Sequence, residues 1–253
     1  MRKLIRTLQV YFPILLDMKF VVMRFYRNTL KKPFEEDFNA LSLFPLCGRV
    51  LFLDVGANRG QSTDAILMKR PDARVHLFEP NEELCRNLQK MFGANDGVFI
   101  HNCGLGDEVT EGLLVVPFYK KWMFDGLASF DAAKAEDWLK GRIFFYDERF
   151  VSQRQLRCRV KRLDDLALAP FFMKIDVQGY EYKVLKGGEQ TLRKHEPVLL
   201  IEAPGKDIID FLQELGYDFY AYDRGRFRSG MRGRLNTFFM TAGKADLVKT
   251  YLA

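Results

Sequence analysis

From Val50 onward, short apolar runs alternate with longer amphipathic ones, and this alternation restricts the fold more than any other feature of the chain. "VLFLDV" reads as a buried strand followed by the helical "QSTDAILMKR", and "ARVHLF" as a second strand followed by "NEELCRNLQKMF", which ends near Gly93. "GVFIHNCGLGD" is a third strand and "GLLVVPFY" an additional one. "PFFMKIDV", the helical "YEYKVLKGGEQTLRKH", the strand "PVLLIEA" and the helix "KDIIDFLQELG" continue the rhythm. Strands rich in Val, Ile, Leu and Phe that alternate with helices predict a mostly parallel sheet covered on both faces. "YDFYAY" and "NTFFMTA" have no helix between them and are expected to form an antiparallel hairpin.

A chain of 253 residues can bury one sizeable core. One α/β domain at 47–253 is therefore expected, preceded by a helical arm at 1–46 and carrying an aromatic insertion at about 119–156. The insertion holds Trp122, Phe124, Phe130, Trp138, Phe144, Phe145, Tyr146 and Phe150 among charges; it is either a lid or a satellite hydrophobic cluster. Cys47, Cys85, Cys103 and Cys158 show neither CxxC nor ligand spacing with the histidines, which fits a reducing, cytoplasmic compartment and speaks against a zinc or disulfide framework.

The net charge of +6 is unevenly placed. Residues 1–32 carry Arg2, Lys3, Arg6, Lys19, Arg24, Arg27, Lys31 and Lys32 against Asp17, eight minus one or +7, which leaves about −1 for the rest. The body is thus not a nucleic-acid-coating surface. Pro13, Asp17 and Lys19 interrupt the apolar run of the arm, so it is neither a signal peptide nor a membrane span. Two readings stay open: a basic amphipathic segment on an anionic membrane surface, or a helix packed on the domain or on a second copy of it. The second basic segment, "RGRFRSGMRGR", is either a solvated loop or a grip for phosphate or carboxylate.

Ligands of open α/β sheets bind outside the carboxyl ends of the strands, here at "DVGANRGQS". A P-loop needs a lysine after its last glycine, and none follows Gly60. A dinucleotide fold wants G-x-G-x-x-G, whereas Gly56 and Gly60 are spaced G-x-x-x-G with Asp54 just before them. A carboxylate there repels pyrophosphate and attracts an ammonium group, directly or through water. S-adenosyl-L-methionine offers an ammonium, a sulfonium and no phosphate. Glu79 in "LFEP" ends the second strand, where a carboxylate can take both ribose hydroxyls. The expected cofactor-binding residues are Asp54, Gly56, Ala57, Asn58, Gly60, Gln61, Glu79 and Pro80, with Asn102, Gly104, Leu105 and Gly106 bordering the adenine.

"FLDVGANRGQST", "LFEPN", "GLGD", "GLASF", "VKRLDDL", "MKIDVQGYEYKVLKGG" and "LLIEA" together resemble the FkbM family of S-adenosylmethionine-dependent methyltransferases over roughly residues 50–242. The resemblance implies a class I methyltransferase (Rossmann-like) fold, a seven-stranded sheet with helices on both faces and an antiparallel last strand. It also implies methylation of a hydroxyl oxygen on a sugar, glycan or natural product. Family members usually carry Glu where this chain has Gln178, which puts in doubt any mechanism resting on that position. Ser129 and Asn236 match family positions without a role that the residues themselves suggest.

Transfer to an alcohol is an in-line displacement that needs a positioned hydroxyl and a proton acceptor. Asp176 is the leading base, with Lys174, Glu181 and Glu202 as further catalytic candidates. Asp176, Glu181 and Glu202 are also the acids that would hold a divalent cation, but no metal is predicted. His76 and His101 read as satisfied core residues, and His195 as a charged cap on a helix end. The acceptor is expected to be a small molecule or glycan, anionic or lipid-linked. A nucleic-acid methyltransferase and a catalytically silent S-adenosylmethionine-binding protein are the alternatives; the near-neutral body disfavours the first and Gln178 supports the second.

Overall fold

The computed structural model describes residues 2–12, 14–124, 126 and 143–253. Ser129, Phe130 and Trp138 of the expected insertion lie outside the described residues. The central strands are β1 (Leu51–Val55), β2 (Arg74–Phe78) and β3 (Val98–His101). β4 (Gly104–Leu105), β5 (Thr110–Tyr119), β6 (Trp122–Met123) and β7 (Val151–Lys161) follow. Beyond them come β8 (Phe172–Ile175), β9 (Val198–Glu202), β10 (Tyr217–Asp223), β11 (Arg226–Ser229) and β12 (Asn236–Thr241).

The main sheet runs β11-β10-β12-β9-β8-β1-β2-β3. β3, β2, β1, β8 and β9 are parallel neighbours, and β12 is antiparallel to both β9 and β10. This is the expected α/β architecture with its reversed last strand, enlarged to eight strands. The eighth is β11, from the arginine-rich segment. Arg224 and Gly225 both have positive φ (49° and 81°), the conformation a two-residue hairpin turn requires, so β11 folds back on β10. Its Phe227 is fully buried in the core, Arg228 pairs with Asp223 at 3.0 Å, and Arg232 donates to the Pro204 carbonyl. That segment is therefore an edge strand and not a plain solvated loop.

The helices are α1 (Arg2–Tyr11), α2 (Ile14–Leu30), α3 (Gln61–Lys69) and α4 (Glu82–Phe92), then α5 (Glu181–Lys186), α6 (Glu189–His195), α7 (Lys206–Glu214) and α8 (Ala242–Asp246). Where one helix was expected across "YEYKVLKGGEQTLRKH", α5 and α6 are separate. Gly187 approaches the Gly106 carbonyl so closely that a Cβ would strike it, and Gly188 lies against Leu163. Asp164 then serves the new helix start, accepting from the Thr191 N–H and hydroxyl, each at 2.8 Å.

A second sheet, β4-β7-β5-β6, carries the long antiparallel pair β5 and β7. β7 begins inside the stretch expected to be an insertion. Its first half, Ser152 to Gln155, is polar and exposed and carries no apolar signal; only Leu156, Cys158 and Val160 alternate with basic residues, and that short run went unread as a strand. The expected third strand also divides: β3 stays in the main sheet, while β4 joins β7.

The arm is not separate throughout. A 3-10 helix at Glu36–Leu43 sinks Phe38, Ala40 and Leu41 into the main core, and Phe44 follows them. α1 packs Val10 against Trp122 beside the second sheet, and Arg24 of α2 forms a two-pronged bond with Asp64 of α3 at 2.7 and 2.9 Å. All four cysteines are free thiols. Among the described residues, no helix is long and apolar enough to cross a membrane.

Candidate active site

Parallel strands align their carboxyl ends, so β1, β2, β8 and β9 deliver Gly56, Glu79, Asp176 and Glu202 to one edge of the sheet. β12 runs the other way and starts there; its first residue, Asn236, lies opposite Glu202. A cavity of about 100 Å³ at this edge is walled by Gly56, Asn58, Glu79, Pro80, Gly104 and Leu105, and by Asp176 and Gln178 across from them.

The loop after β1 is built on positive φ: Gly56 at 86°, Asn58 at 48° and Gly60 at 77°. A side chain at Gly56 would run into the Asp176 carbonyl, so this glycine lets the β1 and β8 loops touch. The loop uses its own donors internally. Gly56 and Ala57 N–H both donate to the Phe78 carbonyl, at 3.0 and 3.2 Å, and Gly60 N–H to Ala57 at 2.7 Å. Asn58 N–H donates to Glu79 Oε2, and Asn81 N–H to Oε1, both at 2.8 Å. These bonds hold the buried Glu79 carboxylate in the cavity wall. They also take up the N–H groups on which a pyrophosphate would sit.

Asp54 has a different place from the one its spacing suggests. It is fully buried below the loop, where Ser62 Oγ (2.7 and 2.8 Å) and Thr63 Oγ1 donate to it from the first turn of α3. Burial raises its pKa, against the pull of those hydroxyls. It anchors α3 and does not line the cavity. Ala57, Gly60 and Gly106 also lie outside the lining, as does Asn102, whose amide donates to the Glu79 and Pro80 carbonyls at 3.0 and 3.3 Å. Gln61 faces a separate cavity of about 400 Å³ between α2, α3 and α4.

On the β8 side, Lys174 is 2% exposed; its Nζ donates to Asn236 Oδ1 at 2.7 Å and stands 3.9 Å from Asp176 Oδ2. The Asn236 amide donates in turn to Glu35 Oε2 at 2.8 Å and Asp37 Oδ2 at 2.9 Å. Gln178 Nε2 bridges Asp176 Oδ1 at 2.9 Å and Glu202 Oε2 at 3.3 Å. Four carboxyls thus surround one buried ammonium and cannot all ionise cheaply. A hydrogen bond to Asp176, then burial, pushes Glu202 up to about 8. Burial is the main cause that raises Glu35 and Asp37, partly offset by Lys174 and Asn236.

Glu181 does not join this cluster. Its carboxylate accepts from the Val177 and Gly179 N–H groups, each at about 3.1 Å, and so clamps the loop in which Gln178 and Gly179 have φ of 53° and 93°. The trio of Asp176, Glu181 and Glu202 is therefore not assembled. Among the described residues, no group of three or more His, Cys, Asp or Glu side chains is placed to hold a metal ion.

The histidines lie away from the site. His101 Nε2 meets His76 Nδ1 at 3.1 Å, and burial lowers His76 to about 4 while its Nε2 lacks a protein partner. Burial, Lys194 and Lys244 also lower His195, which opposes the charged helix cap expected of it. Glu35 and Asp37 were missed because they sit in the arm, outside both the strand rhythm and the quoted motifs. Only the fold brings them to Asn236.

A reversed last strand on a parallel sheet, with a glycine bend and a carboxylate at consecutive strand ends, defines a class I methyltransferase fold with its cofactor edge. The chain belongs to the FkbM methyltransferase family: residues 54–219 match the Methyltransferase FkbM domain. That family implies S-adenosylmethionine as the methyl donor.

The chain is 31% identical over 174 residues to the AMB antimetabolite synthetase AmbE of Pseudomonas aeruginosa, a match covering 58% of this chain and 8% of the synthetase. Among solved structures, it aligns with methyltransferase FkbM from Methylobacillus flagellatus at 18% identity and a TM-score of 0.48, covering 88% of this chain and 60% of that one. A S-adenosylmethionine-dependent O-methyltransferase from Thermotoga maritima aligns at 12% identity and a TM-score of 0.42, covering 83% and 65%. The chain thus spans less than two thirds of each of these relatives.

Proposed function

We propose that this chain is an O-methyltransferase that uses S-adenosylmethionine to methylate a hydroxyl of a sugar, glycan or related natural product. One observation carries the reading: Asp176 lines the same cavity as Gly56 and Glu79, with Lys174 on one side and the proton-retaining Glu202 on the other. A carboxylate in that position can receive the proton of an alcohol, the one chemical task that methyl transfer to oxygen leaves to the protein.

The residues fit the cofactor. Glu79, fixed by two backbone N–H groups, stands where a ribose would present its hydroxyls; Gly104 and Leu105 supply an apolar border for a purine. The donors of the glycine loop are satisfied within the chain, which suits a ligand without phosphates. At about 100 Å³ the cavity is below the roughly 300 Å³ of a typical small-ligand site, so its wall has to yield on binding.

When bound, S-adenosylmethionine supplies an electrophilic methyl group on its sulfonium. Asp176 orients the acceptor hydroxyl and takes its proton at a carboxylate oxygen as the oxygen–methyl bond forms, leaving the thioether S-adenosylhomocysteine as the other product. Lys174 stands 3.9 Å from Asp176, and Glu202, pushed up by its hydrogen bond to Asp176 and by burial, keeps a proton so that two carboxylates do not repel. Gln178 donates to both, a part that a third carboxylate could not play without protonation.

The test is calorimetric titration with S-adenosylhomocysteine and with NAD, followed by transfer of labelled methyl to a panel of hydroxylated acceptors. Asp176→Asn should bind S-adenosylhomocysteine like the parent and lose turnover by about 100-fold or more. Binding of NAD in preference, or full turnover by the variant, would refute the assignment.

A further inference from the structure

The outer face of the N-terminal helices is apolar and belongs to no core. On α2, Ile14, Met18, Val22 and Phe25 recur at helical spacing, and Phe25, Ile14 and Val22 are 74%, 66% and 60% exposed. Phe12, at the bend between α1 and α2, extends the stripe at 58% exposure. Contiguous apolar surface of this kind marks an interaction site.

The orientation of the stripe is fixed from behind. Leu16 of α2 is buried with Val10 and Trp122, Arg24 grips Asp64, and the Arg59 guanidinium lies 4.5 Å from the centre of the Phe20 ring. α1 is tied by Thr7, whose hydroxyl accepts from the Phe144 N–H at 2.9 Å. The apolar face therefore points away from the domain.

We propose that this face docks on an anionic bilayer surface, with α2 lying in the plane of the headgroups. The charge distribution selects this occupant. Residues 1–32 carry +7, and Lys19 within α2 and Lys31 and Lys32 just past its end are exposed. A second copy seated face to face would bring two such arrays together, whereas an anionic leaflet neutralises them. At 17 residues, α2 is about 25 Å long and interrupted by Asp17 and Lys19; it suits lying on a surface, with apolar residues in the acyl boundary and lysines at phosphate level. The inference does not depend on the methyl-transfer chemistry.

The experiment is flotation of the full chain with vesicles of equal parts phosphatidylglycerol and phosphatidylcholine, and with phosphatidylcholine alone. The chain should float with the anionic vesicles at low salt and much less as salt rises. Val22→Glu combined with Phe25→Glu should weaken this by at least about tenfold with an unchanged melting temperature, because both side chains are solvent-exposed. Lys31→Glu with Lys32→Glu should weaken it and flatten the salt dependence. Failure to float, equal flotation with neutral vesicles, or flotation indifferent to Val22→Glu/Phe25→Glu would each overturn the proposal. So would a dimer, seen by sedimentation equilibrium without vesicles, that the same pair of substitutions dissolves.

Discussion

Replacing Glu202 with Gln probes the carboxyl cluster directly. In the folded chain Glu202 keeps its proton up to about pH 8, against an ordinary value of 4.5. Between those values the folded state holds a proton that the unfolded chain has released, so wild-type stability falls as pH rises through the window. Each pH unit is worth about 1.4 kcal/mol, which sets a ceiling of about 5 kcal/mol. Glu202 is only half-buried, so solvent and the nearby Lys174 reduce this to about 1–3 kcal/mol. A Gln side chain has no proton to lose, and its amide can donate to Asp176 as the protonated acid does. The variant should match wild type near pH 4.5 and exceed it by about 1–3 kcal/mol near pH 8–9. Urea unfolding of both proteins at unit pH intervals from 5 to 9 measures this. The difference cancels the similar slopes expected from Glu35, Asp37 and Asp54. A difference that stays flat across the window would refute the raised value of Glu202.

Three other substitutions test separate links. Glu79→Ala should weaken S-adenosylhomocysteine binding about tenfold or more and cost about 1–3 kcal/mol, since the Asn58 and Asn81 N–H groups lose their acceptor; calorimetry showing parental affinity in a folded variant would remove the ribose role. Asn236→Ala should destabilise the chain by about 1.5–3 kcal/mol, because the buried Lys174 ammonium loses its 2.7 Å acceptor; an unchanged urea midpoint would contradict this. Gly56→Ala should cost about 2–5 kcal/mol, from a φ of 86° and the collision with the Asp176 carbonyl. A melting temperature equal to that of the parent would show that the two loops do not touch.

The local sequence reached far into the fold. β1, β2, β8 and β9 are central strands whose buried runs carry their own signal, and the reversed pairing of β12 followed from the missing helix before it. The strand-end residues Gly56, Glu79 and Asp176 were legible for the same reason, since each closes an apolar run. β7 was not, because its first half is polar and exposed, and the short alternation of Leu156, Cys158 and Val160 with basic residues is completed as a strand only by pairing with β5. Nor was the break between α5 and α6, which depends on how near Gly187 comes to the Gly106 carbonyl.

Which acids do what is decided by direction and distance, and side-chain type alone does not encode either. Asp54, Glu181 and Asp176 all sit in motif positions. The folded chain turns Asp54 under α3 onto two hydroxyls and Glu181 onto two N–H groups, leaving Asp176 at the cavity. Sequence by itself determined the parallel core of the sheet, the edge where its strands end and the family, because these follow from the hydrophobic period and short local motifs. Tertiary structure alone brought Glu35 and Asp37 to Asn236, some 200 residues further along the chain, and through it to Lys174, because a buried ammonium must gather its partners from wherever the packed chain supplies them.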